Sequence, residues 1–467
     1  MPLSPEAVAL APILLLVIVL WVTEALPLAV TALLGAVACV VAGVAPAKEV
    51  FRPFADPLIF LFIGSFVLAE AIRLHGLDRR LAYGVLSVPG IGGRPPRILA
   101  AVALVCVLIS GFISNTVTAA MMMAIVSGIL VAVESASREH GNPPAPAFAT
   151  SLYLCVAFAA SIGGLATPIG TPPNLIGLGF IRDQVGVRVS FLGWCAIGVP
   201  LVAVMTTIAV AVLVWMFPAG VDRLEGVDRY VAAQRNRLGA WTVGQKSVAA
   251  AFAITVTLWV LPGVLLVLLG ASHPLCIWLG KRLPEGIVAL IGAILLLLLP
   301  GDLRPEGGRR RALEWREAKI DWDIVLLYGG GMALGELCFS TGLAGHIGQS
   351  ITGWIPAGEW SGPVLIVMAV VVAVVTSEFT SNTASANMVV PVVIALARAT
   401  GVDPLMAALA ATFASSLGFM MPVSTPCNAL VYGSGRIPLR SMMASGAIID
   451  ILGIAVVATA LLLARGT

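Results

Sequence analysis

The chain has 467 residues, of which 59% are hydrophobic and only 11% charged, with a formal net charge of +3 at neutral pH. A soluble domain carries roughly 25% charged residues, so water is excluded as the solvent for most of this chain. The basic residues are spread over many loops rather than gathered in a run, which suggests loop orientation in a bilayer and gives no case for nucleic acid.

Apolar runs long enough to cross a hydrocarbon core of about 30 Å recur from the first residues to the last. The first run passes straight into another at Leu26, with no basic region ahead of it and no small-residue cleavage site, which argues against a secretory leader. Candidate spans fall near 7–23, 26–45, 57–75, 148–180, 190–217, 245–269, 284–300, 322–343, 403–434 and 441–464. Two further apolar stretches, about 98–134 and 362–398, carry polar clusters in their middles, Ser114-Asn115-Thr116 and Ser381-Asn382-Thr383. Three hydrogen-bonding side chains in a row are costly in lipid, so both stretches read as re-entrant hairpins whose tips line a polar cavity.

The segments Ala166 to Asn174 and Met421 to Asn428 each hold two or three prolines inside an otherwise helical span. Proline removes a backbone donor and clashes with the preceding turn, so both segments should unwind and leave carbonyls in need of partners. Seven cysteines (Cys39, Cys106, Cys155, Cys195, Cys276, Cys338, Cys427) sit singly in apolar surroundings and read as buried free thiols.

The two halves repeat. Ala32 to Ala36 echoes Ala289 to Ala293, while Gly64, Leu68, Glu70, Gly76 and Leu77 echo Gly330, Leu334, Glu336, Gly342 and Leu343. The Ser-Asn-Thr clusters follow in the same order, then Thr171-Pro172-Pro173-Asn174 against Thr425-Pro426-Cys427-Asn428. Each repeat, 1–240 and 241–467, contains five spans and one hairpin, and an odd number of crossings leaves the second upside down relative to the first. This is the inverted-repeat plan of secondary transporters, with substrate at the midplane between broken elements. Under that plan roughly nineteen of the 27 Lys and Arg residues fall on one side, including Arg79, Arg80, Arg94, Arg97 and Arg309-Arg310-Arg311. That side is expected to be cytoplasmic, with both termini outside.

Neither tip carries Lys or Arg, so a dianion held there must be neutralised by helix N-termini, hydroxyl donors and bound cations. Sodium takes oxygen ligands, which Ser, Thr and Asn side chains and unwound carbonyls supply. No His-Glu-x-x-His or Gly-x-Ser-x-Gly pattern appears, so nothing in the sequence points to an enzyme. Glu378, beside Ser377, is expected to face a wet vestibule, with proton binding as the alternative. Glu70 and Glu336 are expected to tie helices together, and His75 and His346 to lie at the interface.

The two Ser-Asn-Thr tips, the Gly-Thr-Pro-Pro-Asn loop, Trp21 to Pro27 and the stretch Ser415 to Val431 together make the chain resemble the divalent anion/sodium symporter family of dicarboxylate, citrate and sulfate transporters. The resemblance covers almost the whole chain. It implies that Ser114, Asn115, Thr116, Thr171 and Pro172 meet one end of the substrate, and Ser381, Asn382, Thr383, Thr425 and Pro426 the other. It further implies one sodium site at Ser110, Asn115 and Gly170 and a second at Ser377, Asn382 and Ser424, with two or more sodium ions carried. A homodimer in the inner or plasma membrane is also implied, working as an elevator: a transport part of about 98–217 and 362–467 slides against a scaffold of about 1–97 and 241–361. Sodium-coupled symport of a C4-dicarboxylate is the leading expectation, with dicarboxylate exchange, or sulfate or citrate transport, as alternatives. One departure stands out: Cys427 replaces the proline usual in the second loop, which should loosen that loop and leave a thiol that bound sodium and substrate protect.

Overall fold

A computed structural model describes residues 3–464 apart from 92, 141–144, 271, 304–308, 352–357 and 359. The first half runs through α1 (Pro5–Thr23), α2 (Leu28–Val41), the short α3 (Ala47–Val50), α4 (Pro57–Leu74), α5 (Leu77–Leu86), α6 (Pro95–Ser110), α7 (Asn115–His140), α8 (Pro146–Gly163), α9 (Pro172–Phe180) and α10 (Phe191–Met216). Then come α11 (Val227–Arg237), α12 (Val243–Leu269), α13 (Pro274–Arg282) and α14 (Glu285–Leu298), followed by a two-stranded antiparallel hairpin of β1 (Pro300–Leu303) and β2 (Arg309–Arg311). The chain finishes with α15 (Trp322–Ser340), α16 (Leu343–Ile351), α17 (Ser361–Phe379), α18 (Asn382–Thr400), α19 (Pro404–Ala414), α20 (Pro426–Tyr432) and α21 (Leu439–Ala464).

Among the described residues, ten helices are long and apolar enough to cross a membrane: α1, α4, α7, α8, α10, α12, α15, α17, α18 and α21. Their burial sorts them by solvent. The apolar window of α8 is 94% buried, which makes it a central post, whereas that of α12 is 17% buried and presents its side chains outward. Leucines and valines left bare on such a helix are stable only against lipid.

Both stretches with polar middles break at the polar cluster. The first is α6 and α7 joined through Gly111 to Ser114, and the second is α17 and α18 joined through Thr380 and Ser381. Both proline-bearing spans break too, α8 giving way to α9 and α19 to α20. Pro172 and Pro426 are the first residues of their new helices, where the missing N–H would have had no partner.

Packing follows the repeat. A Cβ on Gly64 of α4 would collide with the backbone of Ala289 on α14, and one on Gly330 of α15 with the backbone of Ala32 on α2. Gly64 matches Gly330 and Ala32 matches Ala289, so each contact is the other with the halves exchanged.

His75 stands at the C-terminal cap of α4, with its side chain buried under the β-hairpin, Nε2 2.6 Å from the Ala312 carbonyl and Nδ1 3.6 Å from Asp302. Two sequence expectations need correction. Glu70 bonds chiefly within its own helix, to Arg73 at 2.5 and 2.8 Å, with Lys319 at 4.0 Å, while Glu336 does tie two segments together through Arg52. Glu378 faces no vestibule and is buried at 5% exposure. All seven cysteines are free; five are buried, as expected, while Cys195 and Cys276 are partly exposed.

Candidate functional site

One cavity of about 1310 Å³ is lined by both tips and both proline loops. Ser114, Asn115, Thr116, Thr171 and Pro172 line it from the first half, and Ser381, Asn382, Thr383, Thr425 and Pro426 from the second. The structure therefore brings together all ten positions expected to meet substrate. From there the cavity extends along the C-terminal half of α4 to a mouth where Arg73, Arg79, Arg237 and the exposed Lys319 stand among Glu70, Asp78, Asp321 and Asp323.

The local electrostatics come from backbone. Asn115 opens α7 and Asn382 opens α18; Ser381 caps α18 by accepting from Ala384 N at 3.1 Å. Thr171 and Thr425 occupy the cap positions of α9 and α20, and Thr425 Oγ1 accepts from Asn428 N at 3.1 Å. The starts of α7 and α18 carry the positive ends of their helix dipoles and so favour anionic groups where no Lys or Arg is present, whereas α9 and α20 open on Pro172-Pro173 and Pro426, which have no N–H, and present the Thr171 and Thr425 side chains instead.

Beside each tip lies a cluster of oxygens. Ser110 Oγ is 2.6 Å from both Asn115 Oδ1 and the Ala160 carbonyl. Asn115 Oδ1 also faces the carbonyls of Ala160 and Gly170 at 3.2 Å, whereas the amide turned over would donate to all three oxygens. With Oδ1 inward, the Asn115 amide oxygen, two carbonyls and the Ser110 hydroxyl, whose one hydrogen serves only one of them, offer oxygen ligands for a hard monovalent cation; with the amide turned over, its N–H groups take the cation's place. In the second half Ser377 Oγ is 2.7 Å from Asn382 Oδ1 and 3.0 Å from the Ser415 carbonyl, and Ser424 Oγ donates to the Gly418 carbonyl at 2.9 Å. Both oxygen sets read from the sequence thus gather in one place each.

Sequence reasoning missed what supports these clusters. Asn174 Nδ2 donates to the carbonyls of Gly164 and Thr167 at 2.9 and 2.8 Å; Asn428 Nδ2 donates to those of Gly418 and Met421 at 3.0 Å each. These amides satisfy carbonyls that unwinding frees inside the membrane. Gly164 and Gly418 make room: a Cβ on Gly164 would lie 2.6 Å from Asn115 Oδ1, and one on Gly418 would collide with Ser424 Oγ. The signal was present, because the echo extends upstream without a gap from Thr171 and Thr425 to this glycine pair.

The second half adds a charge. Glu378 Oε1 and Oε2 accept from the backbone of Met420 and Met421 at 2.9 and 3.0 Å, and Asp450 of α21 lies within hydrogen-bonding reach of the same carboxyl. Asp450 also accepts from Phe419 N at 3.4 Å. Both acids sit behind the second loop, away from the cavity.

Matched broken helices around a central polar cavity, inside a shell of apolar helices, define a membrane protein built like a secondary transporter. Residues 1–464 match the family described as the sodium:sulfate symporter transmembrane region, and the chain belongs to that family. It is 32% identical to a sodium-dependent dicarboxylate transporter, SdcS, of Staphylococcus saprophyticus, over 97% of this chain and 85% of that one. It is 31% identical to SdcS of Staphylococcus aureus strain USA300, over 91% and 80%. Two solved structures share the fold at low identity. The YdaH transporter of Alcanivorax borkumensis matches with a TM-score of 0.54 at 15% identity, covering 89% of this chain and 86% of that one. MtrF of Neisseria gonorrhoeae matches at 0.58 and 14%, covering 88% and 82%.

Proposed function

We propose that this chain carries a C4-dicarboxylate across the inner or plasma membrane together with two or more sodium ions, as a secondary active symporter and not an enzyme. The observation that carries the reading is the pairing of two oxygen clusters with two sets of helix starts around one cavity. A molecule with a carboxylate at each end meets one set with each end, and a cation behind each tip offsets its charge. Compact sulfate reaches only one end at a time. The SdcS relatives are named for sodium-dependent dicarboxylate transport, which supports the same choice.

The two halves are inverted repeats with re-entrant hairpins, and the hairpins and broken helices move as one transport part against the scaffold, in a homodimer. The exchanged contacts of Gly64 and Gly330 support the two-fold relation, and the excess of Lys and Arg on the mouth side supports a cytoplasmic mouth with both termini outside. The present state is then the inward-open one.

Uptake of labelled succinate into proteoliposomes tests this, with and without an inward sodium gradient and with sulfate or citrate as competitor. Concentrative uptake that requires sodium is the expected result. Uptake only into vesicles preloaded with dicarboxylate would make the protein an exchanger, and no succinate uptake would overturn the substrate.

A further inference from the structure

Two arginines hold matched places in the repeat and have different partners. Counting on from Thr171 and Thr425 without a gap, Arg182 corresponds to Arg436. Arg182 lies in a π-helical turn directly after α9 and grips Asp56, the N-cap of α4, at 2.5 and 3.1 Å. Asp183 takes its other edge at 2.6 and 2.8 Å, and the Tyr328 hydroxyl donates to Asp56 at 3.3 Å. Among the described residues, Arg436 pairs with Glu134 alone, at 3.5 Å, with both side chains about half exposed.

As helix caps, the counterpart of Asp56 is Asp321, the N-cap of α15, one residue short of the offset that pairs Gly64 with Gly330. The two capped helices meet at Phe62 and Tyr328, whose ring centroids are 5.6 Å apart. Asp321 accepts from Ile324 N of its own helix at 3.4 Å, and among the described residues it has no ion pair. It lines the open mouth with Asp323, while Arg182 and Asp56 sit at the other end of α4 from that mouth. The closed side thus has an assembled arginine–aspartate clamp, and the open side has the same two residue types apart.

We propose that Arg436 and Asp321 close into the matching clamp when the cavity opens to the opposite side, so that each transport cycle exchanges one clamp for the other. This rests on the alternating-access reading above. A two-state carrier needs closed forms of similar free energy, or one state empties and transport stalls. A single clamp would bias the carrier toward its present state; two equal clamps used in turn cancel. Arg182 and Arg436 both follow broken helices of the transport part, and Asp56 and Asp321 both cap scaffold helices, so each clamp joins the two parts that must slide.

The test reads the mouth directly. Ala124→Cys, exposed on the cavity wall of α7, is the parent and is labelled in proteoliposomes by a membrane-impermeant maleimide applied from the mouth side, with the protein lacking that substitution as the background. Arg182→Ala or Asp56→Ala should slow labelling about fivefold, the population shift expected from losing one ion pair. With sodium and succinate present, Arg436→Ala or Asp321→Ala should speed it by a similar factor, the double variant no further, and Asp321→Arg with Arg436→Asp should return it to the parent rate. Because that exchange keeps both side chains, a restored rate excludes misfolding as the cause of the single effects. Parent-rate labelling in Arg436→Ala and Asp321→Ala, or effects that simply add, would overturn the clamp while leaving alternating access standing. Labelling indifferent to sodium, succinate and Arg182→Ala alike would remove alternating access itself, and the clamp with it.

Discussion

The two halves build nearly the same polar core and support it by different chemistry. In the first, the residue after Ser110 is Gly111, whose carbonyl accepts from Thr167 Oγ1. In the second, the residue after Ser377 is Glu378, whose carboxylate holds two backbone N–H groups of the loop. Helix α21 brings Asp450 to that carboxyl, whereas α10, which packs against α21 from the first half, contains no acid. A buried carboxylate costs several kcal/mol unless it is hydrogen-bonded, so loop and acid hold each other in place. The oxygen clusters are therefore a shared feature of the halves, and the buried carboxyl behind them is not.

The shared part should fail alike on both sides. Asn115→Ala and Asn382→Ala each remove an amide that borders an oxygen cluster and the cavity at once. Leaving polar partners unpaired costs about 3 kcal/mol, so sodium-driven succinate uptake should fall by about two orders of magnitude in both. Near-normal uptake in either one would break the equivalence. Gly164→Ala and Gly418→Ala come next, because each puts a methyl group into the oxygen cluster. Overpacking of about 2 kcal/mol corresponds to roughly thirtyfold more sodium for half-maximal uptake, read from sodium activation curves.

The difference between the halves is sharpened by Glu378→Gln against Gly111→Ala. The first replaces a charged acceptor beside Ser377 and should raise the sodium requirement about tenfold, since hydrogen bonds to charged groups contribute about 1.5–3 kcal/mol. The second should change it less than about twofold, because a Cβ on Gly111 meets its neighbours at 3.5 Å or more, ordinary contact distance, and Gly111 has helical φ. Equal effects would mean that the carboxylate is only a spacer.

How much of this was legible depended on whether the signal was local. Ser-Asn-Thr inside an apolar run, and prolines inside a span, conflict with their surroundings, and such conflicts are visible without a structure. The helix breaks and the oxygen sets followed from them. The burial of Glu378 did not, because the groups that cover it, Met420, Met421 and Asp450, lie some forty to seventy residues further on. Nor did the cover over the His75 side chain, because it comes from the β-hairpin and the Ala312 carbonyl just past it, remote in sequence. Helices α5 and α11 went unread because they are short and rich in charge, below the threshold of any search for spans. Arg182 and Arg436 lay just beyond the Thr-Pro motif, where the halves share little except those arginines and the glycines three residues before them, Gly179 and Gly433.

The smallest effect concerns Cys427, where the halves differ in sequence but hardly in geometry. Cysteine in place of the proline that Pro173 represents in the first loop was expected to loosen the second. Yet Asn428 bonds the loop carbonyls at the same lengths, within about 0.2 Å, as Asn174 does in the first half. Cys427 is 1% exposed and its thiol lies near Ser161 and Thr116, so a side chain of the second loop reaches toward the tip of the first. Cys427→Pro should therefore keep uptake within about threefold of the parent, since proline is tolerated in the first turn of a helix. A polar maleimide should label Cys427 slowly with or without sodium and succinate, because the thiol is already covered before either binds. Fast labelling that sodium and succinate suppress would mean that the loop opens in the unloaded protein, and would restore the looser second site that the sequence alone suggests.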